Sequence, residues 1–104
     1  MIKLKFKNPV FNNGINYTVR HWQKWAKILN VGDRINLNDI ATGRVSRIDV
    51  SYFSLINPVA WIFNHDSECR NGRQSLWNTL VKYYGVIDPL KTVVTSIEFY
   101  VGDE

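Results

Sequence analysis

The first third of the chain alternates apolar and polar residues in two short stretches. Ile2, Leu4 and Phe6 alternate with lysines, which is the period of a strand with one buried and one solvated face. After an Asn-Asn-Gly turn, residues 15–20 repeat this alternation and predict a second strand. Residues 21–29 change to helical spacing, which predicts a short amphipathic helix.

The rest of the chain predicts a hairpin, two helices and a closing strand. Residues 35–37 and 45–53 alternate as paired strands, with a slip near Arg47 and Ile48 that suggests a bulge. A short helix is expected after Pro58, and residues 64–72 have the composition of a loop. The clearest helix covers residues 73–84, and a strongly β-forming run at 93–101 predicts a central strand. We interpret residues 1–104 as one α+β domain.

Composition narrows the class of protein. A chain of 104 residues with 45% hydrophobic residues can bury one core without a disulfide, and its single cysteine cannot form one internally. No apolar run approaches the roughly 20 residues that span a bilayer, and the first residues lack the apolar stretch of a signal peptide. We therefore expect a cytoplasmic protein with no membrane association.

Charge is distributed unevenly along the chain. Thirteen Lys and Arg residues against nine Asp and Glu residues give a net charge of +4, yet no acid precedes Asp33. A basic block attracts polyanions, of which nucleic acid is the most common, although many basic domains use such charge only for solubility.

Four short motifs follow one another in an order that resembles a known family. They are the Gly-Ile-Asn-Tyr-Thr-Val-Arg stretch at 14–20, the Gly-Asp pair at 32–33, the helix at 75–84 and the closing strand at 95–101. From residue 11 to residue 101 the chain resembles the ASCH family of PUA-like domains. The resemblance implies a small β-barrel of about five to six strands with two to three short helices. It also implies a cleft that binds RNA or a nucleotide, between the Thr-x-Arg strand and the loop before the long helix.

The resemblance also raises an enzymatic alternative. Some members are similar to amidohydrolases that remove an acetyl group from modified cytidine with a Lys, a Thr and a Glu. Thr18 matches the Thr and Glu68 lies near the place of the Glu, but Asn16 occupies the position nearest the Lys and cannot accept a proton. Thr18 could equally be an ordinary strand residue, and Glu68 a solvated loop carboxylate.

Arg20 is the leading candidate for ligand binding. Strand alternation places it on one face with Asn16 and Thr18, where its guanidinium offers a planar fork of donors for a phosphate or a base edge. The alternative is an ion pair with Asp33 or Asp49 that holds the fold together.

Aromatic and basic residues alternate directly after that strand. The Trp22 ring could stack on a base of single-stranded nucleic acid, while Lys24 and Lys27 neutralise its phosphates. Trp25 is expected in the core. We also expect Tyr83 and Tyr84 to divide between a buried and an exposed ring.

The polar loop completes the set of expectations. His65, Asp66, Glu68 and Cys69 do not have the spacing of a metal site, and no cofactor motif is present. The leading hypothesis is a monomer that binds RNA or a nucleotide in a basic cleft. The alternatives are the small amidohydrolase and a module that binds another protein.

Overall fold

The computed structural model describes residues 1–7 and 9–102. The chain alternates strands with short helices, as the hydrophobic pattern predicts. Two 3-10 turns, Phe53–Leu55 and Ser67–Asn71, lie between the regular elements. The strands are β1 (Ile2–Leu4), β2 (Gly14–His21), β3 (Arg34–Leu37), β4 (Ala41–Tyr52) and β5 (Val93–Val101), and the helices are α1 (Lys24–Ile28), α2 (Val59–Ile62) and α3 (Arg73–Tyr84).

The strands form one five-stranded mixed sheet in the order β1-β3-β4-β5-β2. β1 runs parallel to β3, and every other neighbouring pair is antiparallel. The predicted β3–β4 hairpin is confirmed, and the register of β4 shifts between Val45 and Arg47, next to the slip in its alternation. β5 lies inside the sheet, as its apolar composition predicts. The fold is α+β, and in the described residues the ladder ends at β1 and β2 without closing into a barrel.

Each face of the sheet is covered by its own apolar cluster. Successive side chains of β5 point to opposite faces of the sheet. Val94 therefore belongs to one cluster, and Ile97 and Phe99 belong to the other. The first cluster packs the sheet against α2 and α3, with Ala60, Leu76 and Leu80 buried. The second cluster packs β1, β3 and the end of α1 on the opposite face: Leu4, Leu29, Ile35, Leu37, Val45, Ile97 and Phe99.

Two boundaries differ from the sequence prediction. The helix predicted from residue 21 begins only at Lys24, because Trp22 has a φ of 67° and cannot belong to a right-handed helix. Part of the predicted loop is the 3-10 turn Ser67–Asn71, in which the Glu68 amide donates to the Asp66 side chain that caps the turn. α3 ends as predicted, with Gly85 in the left-handed conformation at a φ of 65°.

Within the described part of the chain, no helix has the length and apolar character needed to cross a bilayer.

Candidate functional site

A cavity of about 400 Å³ lies at the outer edge of β2, where the two apolar clusters meet. β2 forms one wall and α3 the opposite wall. The remaining walls come from the segment after β1 and from the loop before the 3-10 turn Ser67–Asn71. The lining residues are Lys5, Phe6, Lys7, Thr18, Val19, Arg20, Asn64, His65, Asp66, Cys69, Leu76, Thr79, Leu80, Tyr83 and Tyr84.

Arg20 is held rigidly in the wall of this cavity. Its Nε donates to Thr18 Oγ1 at 3.0 Å, and its Nη2 donates to the Lys5 carbonyl at 2.9 Å. The guanidinium carbon also lies 5.0 Å from the centre of the Phe6 ring and 5.8 Å from that of Trp25. These contacts fix the orientation of the side chain and join the segment after β1 to β2 across the open side of the sheet.

The outer edge of the Arg20 guanidinium remains available. Its two protein hydrogen bonds use the edge formed by Nε and Nη2, so the edge between the two terminal nitrogens has no partner among the described residues. The alternative ion pair is not formed. Asp49 accepts from Arg47 Nε at 2.7 Å, and Asp33 accepts from the amide of Asn30 at 2.9 Å. Burial lowers the pKa of Arg20, but a guanidinium remains protonated at neutral pH.

The edge of β2 adds backbone groups to the cavity. The Tyr17 amide donates to the Phe63 carbonyl at 2.8 Å, and the Tyr17 carbonyl accepts from the His65 amide at 3.0 Å. Backbone groups two residues apart on a strand point the same way, so the N–H and C=O of Val19 also point to this outer edge. Because Val19 lines the cavity, a donor and an acceptor of the main chain are offered side by side.

His65 is a neutral imidazole in the cavity wall. Its Nδ1 lies 3.1 Å from the Tyr17 carbonyl, which can only accept, so the ring proton is on Nδ1 and Nε2 is an acceptor. Burial is the main cause that lowers the pKa of His65 to about 4, and the nearby Arg20 charge adds to it. The ring also packs against Phe6, with 4.5 Å between the ring centres.

Two tyrosines at the end of α3 form the mouth of the cavity. Tyr83 is 45% exposed and Tyr84 is 42% exposed, so the expectation that one ring would be buried is wrong. Both rings lie on the last turn of α3, beyond the buried Leu80, and therefore extend past the core. The ammonium of Lys7 lies 5.8 Å from the centre of the Tyr83 ring.

Thr18 and Arg20 are the two candidate residues that the structure brings together in the cavity. Asn16 is fully buried, and its side chain bonds to the amide and carbonyl of Asn12 outside the cavity. Glu68 is exposed on the 3-10 turn and does not line the cavity, whereas Asp66 does.

The remaining candidates do not line the cavity. Trp22, Lys24 and Lys27 are exposed and belong to the segment that follows β2. Trp25 is half-buried against the second apolar cluster, with the Lys24 ammonium 5.2 Å from the centre of its ring.

Sequence reasoning missed three contributors to the cavity: the Val19 backbone, His65 and the pair of tyrosines. From the sequence, His65 is one member of a polar loop that is expected to cover a cleft and lacks the spacing of a metal site. In the described residues, no group of His, Cys, Asp and Glu could hold a metal ion. A better signal was available for the tyrosines, because helical spacing puts them on the same side of α3 as Leu76 and Leu80 but in the last turn of the helix.

No protein-family model, curated protein or solved structure matches this chain.

Proposed function

We propose that this protein binds a nucleotide unit, free or within RNA, in the cavity at the edge of β2. The observation that carries the proposal is the Arg20 guanidinium, which is fixed in the wall with one edge unpartnered among the described residues. Two parallel N–H groups match two oxygens of a phosphate, and such a bidentate contact is stronger than a bond between neutral groups. Lys5 and Lys7 line the same cavity and add positive charge.

The rest of the cavity suits a nucleobase. Leu76, Leu80 and Phe6 supply apolar walls for the faces of a flat ring. The Val19 backbone and His65 Nε2 supply one donor and two acceptors for the edge of that ring. A volume of about 400 Å³ lies at the lower end of the roughly 300–1,000 Å³ of small-molecule sites and suits one nucleotide, not a duplex.

The proposal includes a relationship to PUA-like domains. Its supports are the order of the sequence motifs and the position of the cavity between the Thr-x-Arg strand and the loop before the long helix. A further support is the approach of the two outer parts of the sheet, where Arg20 of β2 reaches the Lys5 carbonyl after β1. In this view, the Arg20 side chain occupies the place where a closed barrel would have a backbone ladder.

The amidohydrolase alternative has less support from the geometry. The Thr18 hydroxyl accepts a hydrogen bond from Arg20, and a guanidinium cannot remove the proton of a nucleophile. Glu68, the second matched residue, lies outside the cavity. We therefore place Thr18 with Arg20 as a positioning residue for binding.

Calorimetric titration with nucleoside 5′-monophosphates and the matching nucleosides tests the proposal. We expect the monophosphates to bind at least about ten-fold more tightly, because hydrogen bonds to charged groups are each worth about 1.5–3 kcal/mol. Arg20→Lys should lose most of this preference, since a lysine cannot form the bidentate contact. The matched control is Arg47→Ala, which removes an exposed arginine paired with Asp49 outside this cavity.

A measurement on the unmodified protein covers the case in which Arg20 variants unfold. On addition of a nucleoside monophosphate, the NMR signals of the Val19 and His65 amides should shift, while those around Arg47 should not. Saturable binding without a shift at Val19 and His65 would place the ligand elsewhere. Equal affinity for nucleosides and their monophosphates would remove the role given to Arg20.

A further inference from the structure

A line of exposed rings leads away from the mouth of the cavity. Tyr84 lines the cavity, and its ring centre lies 5.5 Å from that of His21. The His21 ring centre lies in turn 6.4 Å from that of Trp22. We call Tyr84, His21 and Trp22 the ring stripe. All three side chains are exposed, so their flat faces can be reached from solvent.

The structure holds Trp22 in an unfavourable backbone conformation that keeps its ring outside the core. Its φ of 67° is rare for a bulky residue. Its amide donates to the Val93 carbonyl at 2.8 Å, and its carbonyl accepts from Thr95 Oγ1 at 2.6 Å. The side chain is still 54% exposed. Strain of this kind is concentrated at functional sites, and here it presents an indole beside the cavity.

Positive charge accompanies the ring stripe. Lys24 is exposed two residues after Trp22. At the other end, the ammonium groups of Lys7 and Lys82 each lie 5.8 Å from the centre of the Tyr83 ring, next to Tyr84. Flat rings interleaved with cations are the arrangement with which proteins bind single strands, because bases stack while phosphates are neutralised.

We propose that the ring stripe stacks the bases that flank the nucleotide held in the cavity, so that the ligand is a single-stranded nucleic acid. This inference rests on the proposed function, since the cavity nucleotide gives the strand its register. A duplex does not fit, because its base faces are already stacked on one another. One base enters the cavity beside Arg20, and its neighbours continue over Tyr84, His21 and Trp22.

Fluorescence anisotropy with labelled octanucleotides tests the inference, with single-stranded RNA, single-stranded DNA and duplex RNA as probes. Single strands should bind at least about ten-fold more tightly than the duplex and than a nucleoside monophosphate. Trp22→Ala should weaken octanucleotide binding about ten-fold and leave monophosphate binding unchanged. Trp22→Phe should restore most of the affinity because it keeps a flat ring. Tyr100→Ala, an exposed ring at the opposite end of β5, is the matched control.

The outcomes separate this inference from the proposal on which it rests. Monophosphate binding that depends on Arg20, together with octanucleotide binding that ignores Trp22, overturns the ring stripe and leaves the cavity proposal in place. Equal losses for both ligands in Trp22→Ala, with no rescue by Trp22→Phe, would show a structural role and also overturn it. Duplex binding as tight as single-strand binding would also overturn the role of the ring stripe.

A different result would contradict the cavity proposal. If monophosphates fail to bind and octanucleotides need Trp22 but not Arg20, the cavity proposal fails and the ring stripe binds single strands by itself. Preference between the RNA and DNA probes identifies the kind of strand. Failure of every probe, with capture of a protein through Trp22, would assign the stripe to a protein partner and overturn the inference.

Discussion

Acidification should destabilise this protein through one partly buried imidazole, that of His65. Burial and the Arg20 charge lower the pKa of His65 from its ordinary 6.5 to about 4. Between these two values the unfolded chain binds a proton that the folded chain does not, so the free energy of unfolding falls as pH falls from 6.5 towards 4. Above 6.5 the imidazole is neutral in both states and contributes no pH dependence.

The size of the effect follows from the separation of the two pKa values. A difference of roughly 2.5 pH units corresponds to about 3 kcal/mol, since each unit is worth about 1.4 kcal/mol. The surrounding contacts explain why the folded state resists protonation. The Phe6 ring packs on the imidazole, and Arg20 lines the same cavity.

Chemical denaturation of the wild type and of His65→Gln, at several values between pH 7 and pH 4.5, measures this contribution. The glutamine keeps an N–H donor for the Tyr17 carbonyl but does not titrate, so the difference between the two proteins isolates the imidazole. The wild type should lose stability faster than His65→Gln as pH falls. The same steep loss should persist in His21→Gln, because that variant keeps the imidazole of His65. Parallel curves for the wild type and His65→Gln would refute the reasoning, as would an NMR titration of His65 with a midpoint near 6.5.

Three further predictions concern packing, backbone conformation and thiol reactivity. Gly43→Ala should lower the free energy of unfolding by about 1–3 kcal/mol in urea denaturation, because its Cβ would lie 3.2 Å from the Phe99 ring and 3.3 Å from the Tyr100 carbonyl. A loss below that of a typical surface substitution would show that this part of the sheet can move apart. Gly85→Ala should cost about 1 kcal/mol, through the left-handed backbone alone, since the space around its Cβ is open. Gly85→Asn should cost less, and equal costs would contradict this account. Cys69 should react with a thiol reagent at pH 8 only slowly until denaturant is added, because burial raises its pKa to about 11. Rapid labelling of the folded protein would contradict that environment.

The periodicity of the apolar residues predicts the strands and the long helix. The alternation of residues 15–20 predicts β2 nearly to its ends, and Gly85 marks the end of α3 because it can adopt a positive φ. These features depend on neighbours in sequence. Their physical causes are therefore visible in a single chain.

The candidate site was only partly predictable, because it depends on contacts between distant segments. Strand alternation placed Thr18 and Arg20 on one face, and their hydrogen bond joins residues on the same strand. The alternation could not show that the Asn16 side chain, on the same face, would form hydrogen bonds with the backbone of Asn12 in the turn before β2. It could not show either that the Lys5 carbonyl would fix one edge of Arg20 and leave the other available.

The backbone of Trp22 illustrates a second limit. Helical spacing in residues 21–29 predicts that the helix begins near His21, and a tryptophan has no preference for a positive φ. The conformation arises because Val93 and Thr95 hold both polar groups of the Trp22 backbone. Long-range hydrogen bonds of this kind override local propensity.

The order of the strands in the sheet determines how late in synthesis the wall of the cavity formed by β2 can be completed. β2 is made early, yet its ladder partner β5 is the last strand of the described chain, and β1 pairs with β3. Among the strands of residues 1–7 and 9–102, only the antiparallel pair β3–β4 is joined by a short turn, so this hairpin can form while the rest of the chain is still emerging. The strand that carries Arg20 therefore lacks its ladder partner until residues 93–101 have left the ribosome. On the proposed function, we therefore expect the cavity to bind its ligand only after β5 has docked beside β2.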